Sequence, residues 1–330
     1  MPRLYIFILF FVSALFLGQK AEQLFNEKKF AELTALEKES NTFTGQELYY
    51  LGYAFFRQEN DLTAIEFYNK AIGKGFNDAG VFFQKGVSEM FLEKYNEAIG
   101  DFNTAISKVP AAEFYIEKAR VYKITKDFAN EEKTYTEGLK NSQDKNNESY
   151  LQLLKNAGNF YYAQTKAFSK AEKIYADGIV KFPKNYELYE KRIKALNAED
   201  KFTEADKVFE QVRSFYSGNL LSGDYVKFKN MAVDEFPWKN QWINIYKSFE
   251  KPKETLDSLY KVYLIDETGK KVERQFNIEK TLQIEKTDPE FVICEESQKG
   301  HTTYPVGFKN GNFTIKELRE KIVKILDNKK

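Results

Sequence analysis

Residues 82–110 read FFQKGVSEMFLEKYNEAIGDFNTAISKVP, and this stretch decides the fold. Two short amphipathic helices are predicted, with a tight turn between them. Gly86 lies inside the first; Ala98, Phe102 and Ala105 share one face of the second; Pro110 stops it. The spacing i, i+4, i+7 puts these three side chains on a single stripe. Thirty-four residues upstream the same skeleton returns, with Gly52 for Gly86, Ala64 for Ala98, Tyr68 for Phe102 and Ala71 for Ala105. A fixed period of this length predicts a stacked array of helix pairs, because one pair cannot bury its apolar face alone.

The pattern runs on in both directions. The third unit is Tyr115, Ala119, Tyr122, then Glu131, Tyr135, Gly138. Glu131 stands where a small crossing residue belongs and is expected to loosen that pair, and Glu89 stands where the second unit should have an aromatic. The fourth unit is Leu154, Gly158, Tyr161, then Ala171, Tyr175, Gly178, Pro183, with one extra residue in its turn; the fifth is Tyr189, Ile193, Leu196, then Ala205, Phe209, Val212. Residues 141–149 (NSQDKNNES) form a polar insertion, and residues 21–38 a degenerate pair suited to cap the array.

These residues resemble the tetratricopeptide repeat family over about two thirds of the chain. The period, the small residue in each first helix, the paired small residues around an aromatic in each second helix, and Pro110 and Pro183 all match. The resemblance implies a right-handed superhelix whose inner surface, lined mainly by first helices, binds peptides or protein segments. The expected fold class is thus mainly α, a superhelical repeat array followed by a small α+β domain. Carried over position by position, the inner surface comprises Gln46, Tyr49, Tyr53, Phe56 and Arg57, then Phe83, Val87, Met90 and Phe91. It continues with Glu113, Ile116, Arg120, Lys123 and Ile124, then Lys155, Asn159 and Tyr162, and ends with Glu187, Glu190, Lys194 and Asn197. Its N-terminal end is aromatic and its middle basic, a combination found at binding hot spots. Lys155 and Asn159 match two positions of the carboxylate clamp of chaperone-binding members. Lys191 stands where an asparagine belongs and no sixth repeat follows, so that match is read as coincidence.

The period fails at Ser217-Gly218. Residues 217–256 are expected to be linker and capping helices: a helix over 224–235, a break at Phe236-Pro237-Trp238, and a short helix or extended arm over 240–249 with Trp242, Ile245 and Phe249 on one side. Residues 257–330 then change to period two. A hairpin is predicted over 259–278 with its turn at 266–269, and further strands through Leu282 and Ile284, over 290–294 and over 303–308. Asn310-Gly311 reads as a tight turn. A closing helix over 314–326 carries a Thr314/Glu317 capping box and the stripe Ile315, Leu318, Ile322, Ile325.

Residues 1–18 (MPRLYIFILFFVSALFLG) have a basic start and a short apolar run, the form of a secretory signal peptide, with Gln19 as the new start. The expected location is periplasmic or secreted, without stable membrane insertion after cleavage; the alternative is an uncleaved inner-membrane anchor.

The chain has 330 residues and a net charge of +1, which gives nucleic acid no bulk attraction. A single cysteine, Cys294, excludes an intrachain disulfide, and with one histidine, His301, the usual zinc ligand set is short. Neither a metal nor a cofactor is implied. No nucleophile elbow, Walker loop or zincin motif is present. The expected role is an exported scaffold or adaptor holding a protein or peptide partner without covalent chemistry. Two alternatives stand beside it. The C-terminal domain would be an enzyme with Cys294 and His301 as its candidate pair, although Cys294 reads as a packed small hydrophobe and His301 as a loop residue. Or the aromatics would bind glycan, with Trp238 and Trp242 as stacking platforms.

Overall fold

The structure is a computed structural model that describes residues 19–282, 288–297, 300–308 and 313–328. It divides into two compact units, Met1–Asn156 and Ala157–Lys330.

The first unit is built of helices. Residues 19–26 form α1, followed by α2 (Phe30–Thr34), a 3-10 turn (Glu37–Thr42), and the pairs α3/α4 (Gly45–Phe56, Asp61–Gly73), α5/α6 (Ala79–Phe91, Tyr95–Lys108) and α7/α8 (Ala112–Ile124, Phe128–Asn141). Helix α9 (Glu148–Asn159) crosses the division between the units. In the α3/α4 and α5/α6 pairs the small residue of the first helix meets the aromatic of the second. A β-carbon on Gly52 would sit 2.8 Å from the Tyr68 ring, and one on Gly86 would sit 2.9 Å from Phe102. Ala64, Tyr68, Ala71, Ala98, Phe102 and Ala105 are all fully buried. Glu131, expected to loosen its pair, is 1% exposed. Burial pushes its carboxyl above the usual range, while Lys123 and the Tyr135 hydroxyl draw it back.

The turns inside the pairs share one device. Lys28, Glu59, Glu93, Lys126, Lys166 and Asp200 all have φ between 56° and 60°. In the first unit the amide after each closes a bond onto the preceding helix: Lys29 to Leu24 (2.9 Å), Asn60 to Phe55 (3.0 Å), Lys94 to Glu89 (2.9 Å) and Asp127 to Tyr122 (2.9 Å). This is a left-handed helix stop that satisfies an otherwise orphaned carbonyl. Its presence at Lys28 makes residues 19–34 a true, if short, member of the array.

The second unit opens where the fourth pair carries its extra residue. That residue is absorbed as a π-turn, Phe160–Gln164, and the closing bond, Ala167 to Tyr161 (2.8 Å), spans one residue more than its counterparts. Helices α10 (Phe168–Lys181), α11 (Tyr186–Ala198) and α12 (Phe202–Ser217) follow, then a short α13 (Asp224–Phe228).

The sheet begins earlier than expected. Strands β1 (Asn230–Trp238), β2 (Gln241–Ser248), β3 (Ser258–Ile265), β4 (Val272–Lys280), β5 (Phe291–Ser297) and β6 (Gly300–Phe308) form one antiparallel meander in sequence order. The helix expected over 224–235 is therefore confined to its first turn, and the expected break at Phe236-Pro237-Trp238 is the end of a strand. Proline is tolerated because β1 is an edge strand. A bulge between Ala232 and Asp234 hid this strand, because it leaves four consecutive residues, Met231 to Asp234, buried and erases the period of two. Strand β2 was hidden by Lys247, a cation at an inward position, 9% exposed and paired at 2.7 Å with Asp206. The hairpin of β3 and β4 and the strands β5 and β6 lie where expected. Leu282 is outside any strand; Ile284 and the Asn310-Gly311 turn lie outside the described residues.

The final helix α14 (Ile315–Asn328) starts at the expected capping box: the Thr314 amide donates to Glu317 at 2.7 Å, and the Glu317 amide to Thr314 Oγ1 at 3.2 Å. Its apolar stripe, the inward residues of β1 to β6, and Ile193, Leu196, Phe209 and Val212 of α11 and α12 form one core. Arg319 of α14 fastens it, donating to both carboxylate oxygens of buried Asp234 (2.5 and 2.6 Å) and to the Asn197 carbonyl (3.2 Å). No helix among the described residues is long and apolar enough to cross a membrane.

Candidate functional site: the inner face of the helix pairs

The aromatic end of the expected inner surface is filled from within. Phe25 of α1 stacks on Tyr50 (4.2 Å between centroids) and meets Tyr53 edge-on at 5.5 Å, while Phe30 meets Tyr53 at 5.8 Å. Tyr49 stacks on Phe76 at 5.2 Å, and burial pushes its hydroxyl up to about 12. Val87 and Met90 are buried, and Phe83 packs on Phe114 at 4.6 Å. These rings have partners in the first unit's own core.

Of the residues expected on this surface in the first unit, Gln46, Arg57, Phe91, Glu113, Arg120, Lys123 and Ile124 are exposed. Phe91 is 57% exposed and Ile124 48%; Arg120 and Lys123 are exposed beside Ile124 on α7. Phe56, Phe91 and Ile124 are the last residues of α3, α5 and α7 respectively. The repeat therefore sets them as a row along the ends of three successive first helices, and the Phe56 and Phe91 rings are 6.3 Å apart. Arg120 makes one exposed contact, with Glu117 at 3.2 Å. Such a pair is weak in water and yields easily to a stronger anion.

Helix α5 also carries two members of a polar cluster in which Glu89 is buried and Lys85 and Asp101 are partly buried. Lys85 bridges Asp101 (2.7 Å) and Glu89 (3.2 Å). Burial, and then the neighbouring Asp101, push the Glu89 carboxyl up to about 7, against the pull of Lys85. The anomalous glutamate of the second repeat is thus one member of an internal charge group.

In the second unit the expected positions are engaged by the chain itself. Asn159 Oδ1 accepts from the Tyr175 hydroxyl and from Lys191, both at 3.0 Å. Lys194 pairs with Glu190 (3.3 Å) and with Glu235 of β1 (2.8 Å), and the Asn197 amide donates to the Val233 carbonyl at 2.8 Å. Glu190 also accepts from the Tyr225 hydroxyl (3.3 Å). The fifth pair's expected inner surface is a seat for β1. Tyr162 meets Phe168 edge-on at 5.4 Å, and Lys155, which belongs to the first unit, is half-buried on α9.

The candidates outside the array separate differently. Trp242 pairs with Pro237 and Gln241 with Trp238 across β1 and β2, so the two tryptophans face opposite sides of the sheet. They do not form one stacking platform. His301 belongs to strand β6, not to a loop, and the sheet brings it to Cys294. The thiol is buried, which pushes its pKa up against a hydrogen bond from Thr303. That is the opposite of an activated nucleophile.

No protein-family model matches the chain, and no curated protein matches it. Solved structures do. One is the C-terminal part of a TPR repeat-containing protein from Cytophaga hutchinsonii, at 15% identity and a TM-score of 0.51, over 61% of this chain and 80% of that one. Others are a tetratricopeptide repeat protein from Parabacteroides merdae (18% identity, TM-score 0.43, 61% and 79% covered) and pilF of Pseudomonas aeruginosa (16% identity, TM-score 0.45, 65% and 96% covered). The class is settled at the level of fold: helix pairs of tetratricopeptide type. The antiparallel sheet and final helix follow them in the chain.

Proposed function

We propose that the helix pairs serve as a binding scaffold for a segment of a partner protein, and that the segment lies across the ends of α5 and α7. The observation that carries this reading is Phe91, a large ring left 57% exposed at the end of α5, with Ile124 48% exposed at the corresponding end of α7. Exposed apolar side chains in a row, flanked by cations, suit a segment with an apolar residue beside acidic ones. Arg120 and Lys123 supply the charge. Binding would need no covalent chemistry.

Fluorescence anisotropy with labelled peptides tests it. One peptide carries phenylalanine and leucine flanked by aspartate and glutamate; its control replaces every acid with lysine. The acidic peptide is expected to bind and to weaken with salt, and Phe91→Ser combined with Arg120→Glu to cost at least about tenfold, roughly the effect of one lost anchor. Equal binding of both peptides, or unchanged binding by the variant, would overturn the assignment.

We further propose that residues 1–18 direct export and are removed, which places the scaffold in the periplasm or outside the cell. N-terminal sequencing of the mature protein is expected to begin at Gln19. An intact Met1 in a cytosolic fraction would reject export.

A further inference from the structure

Three possible metal ligands on the sheet's outer face come from three adjacent strands, β4, β5 and β6. Phe276, Ile278 and Ile293 point into the core, so the alternation sends Asn277, Glu279 and Cys294 to the other face. Asn277 is paired with Cys294, Cys294 with Thr303, and Glu296 with His301. This register gathers Glu279, Cys294 and His301, whose ligand atoms all lie within 4.8 Å of one another. Glu279 and Cys294 are 4% and 1% exposed although they face away from the core.

We propose that Glu279, Cys294 and His301 form a binding site for a divalent transition ion of the zinc class, held by a carboxylate oxygen, a thiolate and an imidazole. Zinc takes this mixture of donors at roughly 2.0–2.3 Å. At a tetrahedral angle, two such ligands stand about 3.3–3.6 Å apart. Glu279 Oε2 and His301 Nε2 are 3.4 Å apart. The carboxylate is oriented from behind: Asn277 donates to its other oxygen at 3.1 Å and is itself held by Glu296 at 2.5 Å. That is the outer support that ligating carboxylates have in metal sites. A dication also supplies the positive charge that a buried carboxylate beside a thiolate requires. Three protein ligands leave a fourth position for water, and the His301 side chain, 44% exposed, borders solvent. Counting cysteine and histidine alone finds two ligands; the sheet register supplies the third. This site is independent of the scaffold reading, since neither its residues nor its readout involves the helix pairs.

Cobalt titration of the tag-free full chain, stripped beforehand with chelator, tests it. One equivalent of Co²⁺ is expected to bind with a thiolate-to-metal charge-transfer band, and Zn²⁺ to displace it. Cys294→Ser should abolish the band, and His301→Ala, at an exposed position that leaves the core intact, should weaken binding at least tenfold. Asn277→Ala should weaken it about 10- to 100-fold through the carboxylate it orients. Absence of a thiolate band at millimolar cobalt, or a His301→Ala chain that binds like the parent, would overturn the site. Unchanged far-ultraviolet circular dichroism in each variant ties any loss to the ligand and not to unfolding.

Discussion

The ring of Tyr175 lies so close over Gly158 that a β-carbon on the glycine would stand 2.2 Å from Cε1. The corresponding distances at Gly52 and Gly86 are 2.8 and 2.9 Å. The partner is a buried aromatic ring with no free end to swing aside. Gly158→Ala should therefore destabilise the protein by about 1–3 kcal/mol, the usual cost of overpacking. Gly52→Ala should cost less. Urea unfolding of the two variants gives the order, and the reverse order would contradict this packing relationship.

Arg319 and Asp234 make a bidentate pair with the aspartate 1% exposed. Removing one member leaves the other charge buried and alone. Arg319→Ala is expected to cost about 3–5 kcal/mol, and Arg319→Lys to recover part of it, because an ammonium supplies the charge without the fork. Denaturant unfolding followed by near-ultraviolet circular dichroism reads the second unit. A loss below about 1 kcal/mol, the value of a surface pair, would show that Asp234 is solvated.

Glu89, with its carboxyl pushed up to about 7, holds its proton more tightly when folded than when unfolded. An acid raised in this way contributes stability at low pH and loses it as pH climbs from the ordinary carboxylate range, about 4.3, through about 7. Melting temperatures of the parent should therefore fall relative to Glu89→Gln between pH 5 and pH 8. Parallel curves across that window would place the proton elsewhere in the Lys85–Asp101 cluster.

The repeats were legible because each pair repeats one local constraint. A small residue in the first helix makes room for an aromatic in the second, and both lie within one period. Even the extra residue of the fourth turn showed in the sequence, though not its form as a π-turn. The sheet was legible where alternation was clean, from β3 onward. It was illegible where a bulge at Ala232 and an inward lysine at 247 broke the period of two. The inner surface was legible only as positions. Whether a ring on it faces solvent depends on what the rest of the chain lays over it: Phe25 and Phe30 reach Tyr53, and β1 takes up Lys194 and Asn197. Phe91 is left uncovered, and nothing in its own repeat distinguishes it from Phe56.

Arg319 joins groups 85 and 122 positions earlier in the chain, whereas each helix pair closes on residues of its own repeat. The two halves of the molecule therefore mature on different clocks. Short-range pairs form as soon as they leave the ribosome, but the sheet must wait for the last helix to be synthesised. Until then the core that Ile243, Val262, Phe276 and Ile293 share with Ile315, Leu318, Ile322 and Ile325 lacks its last helix. A ribosome stalled before residue 313 would release a chain with finished helix pairs and an adhesive sheet, the form that quality-control proteases and chaperones would meet first.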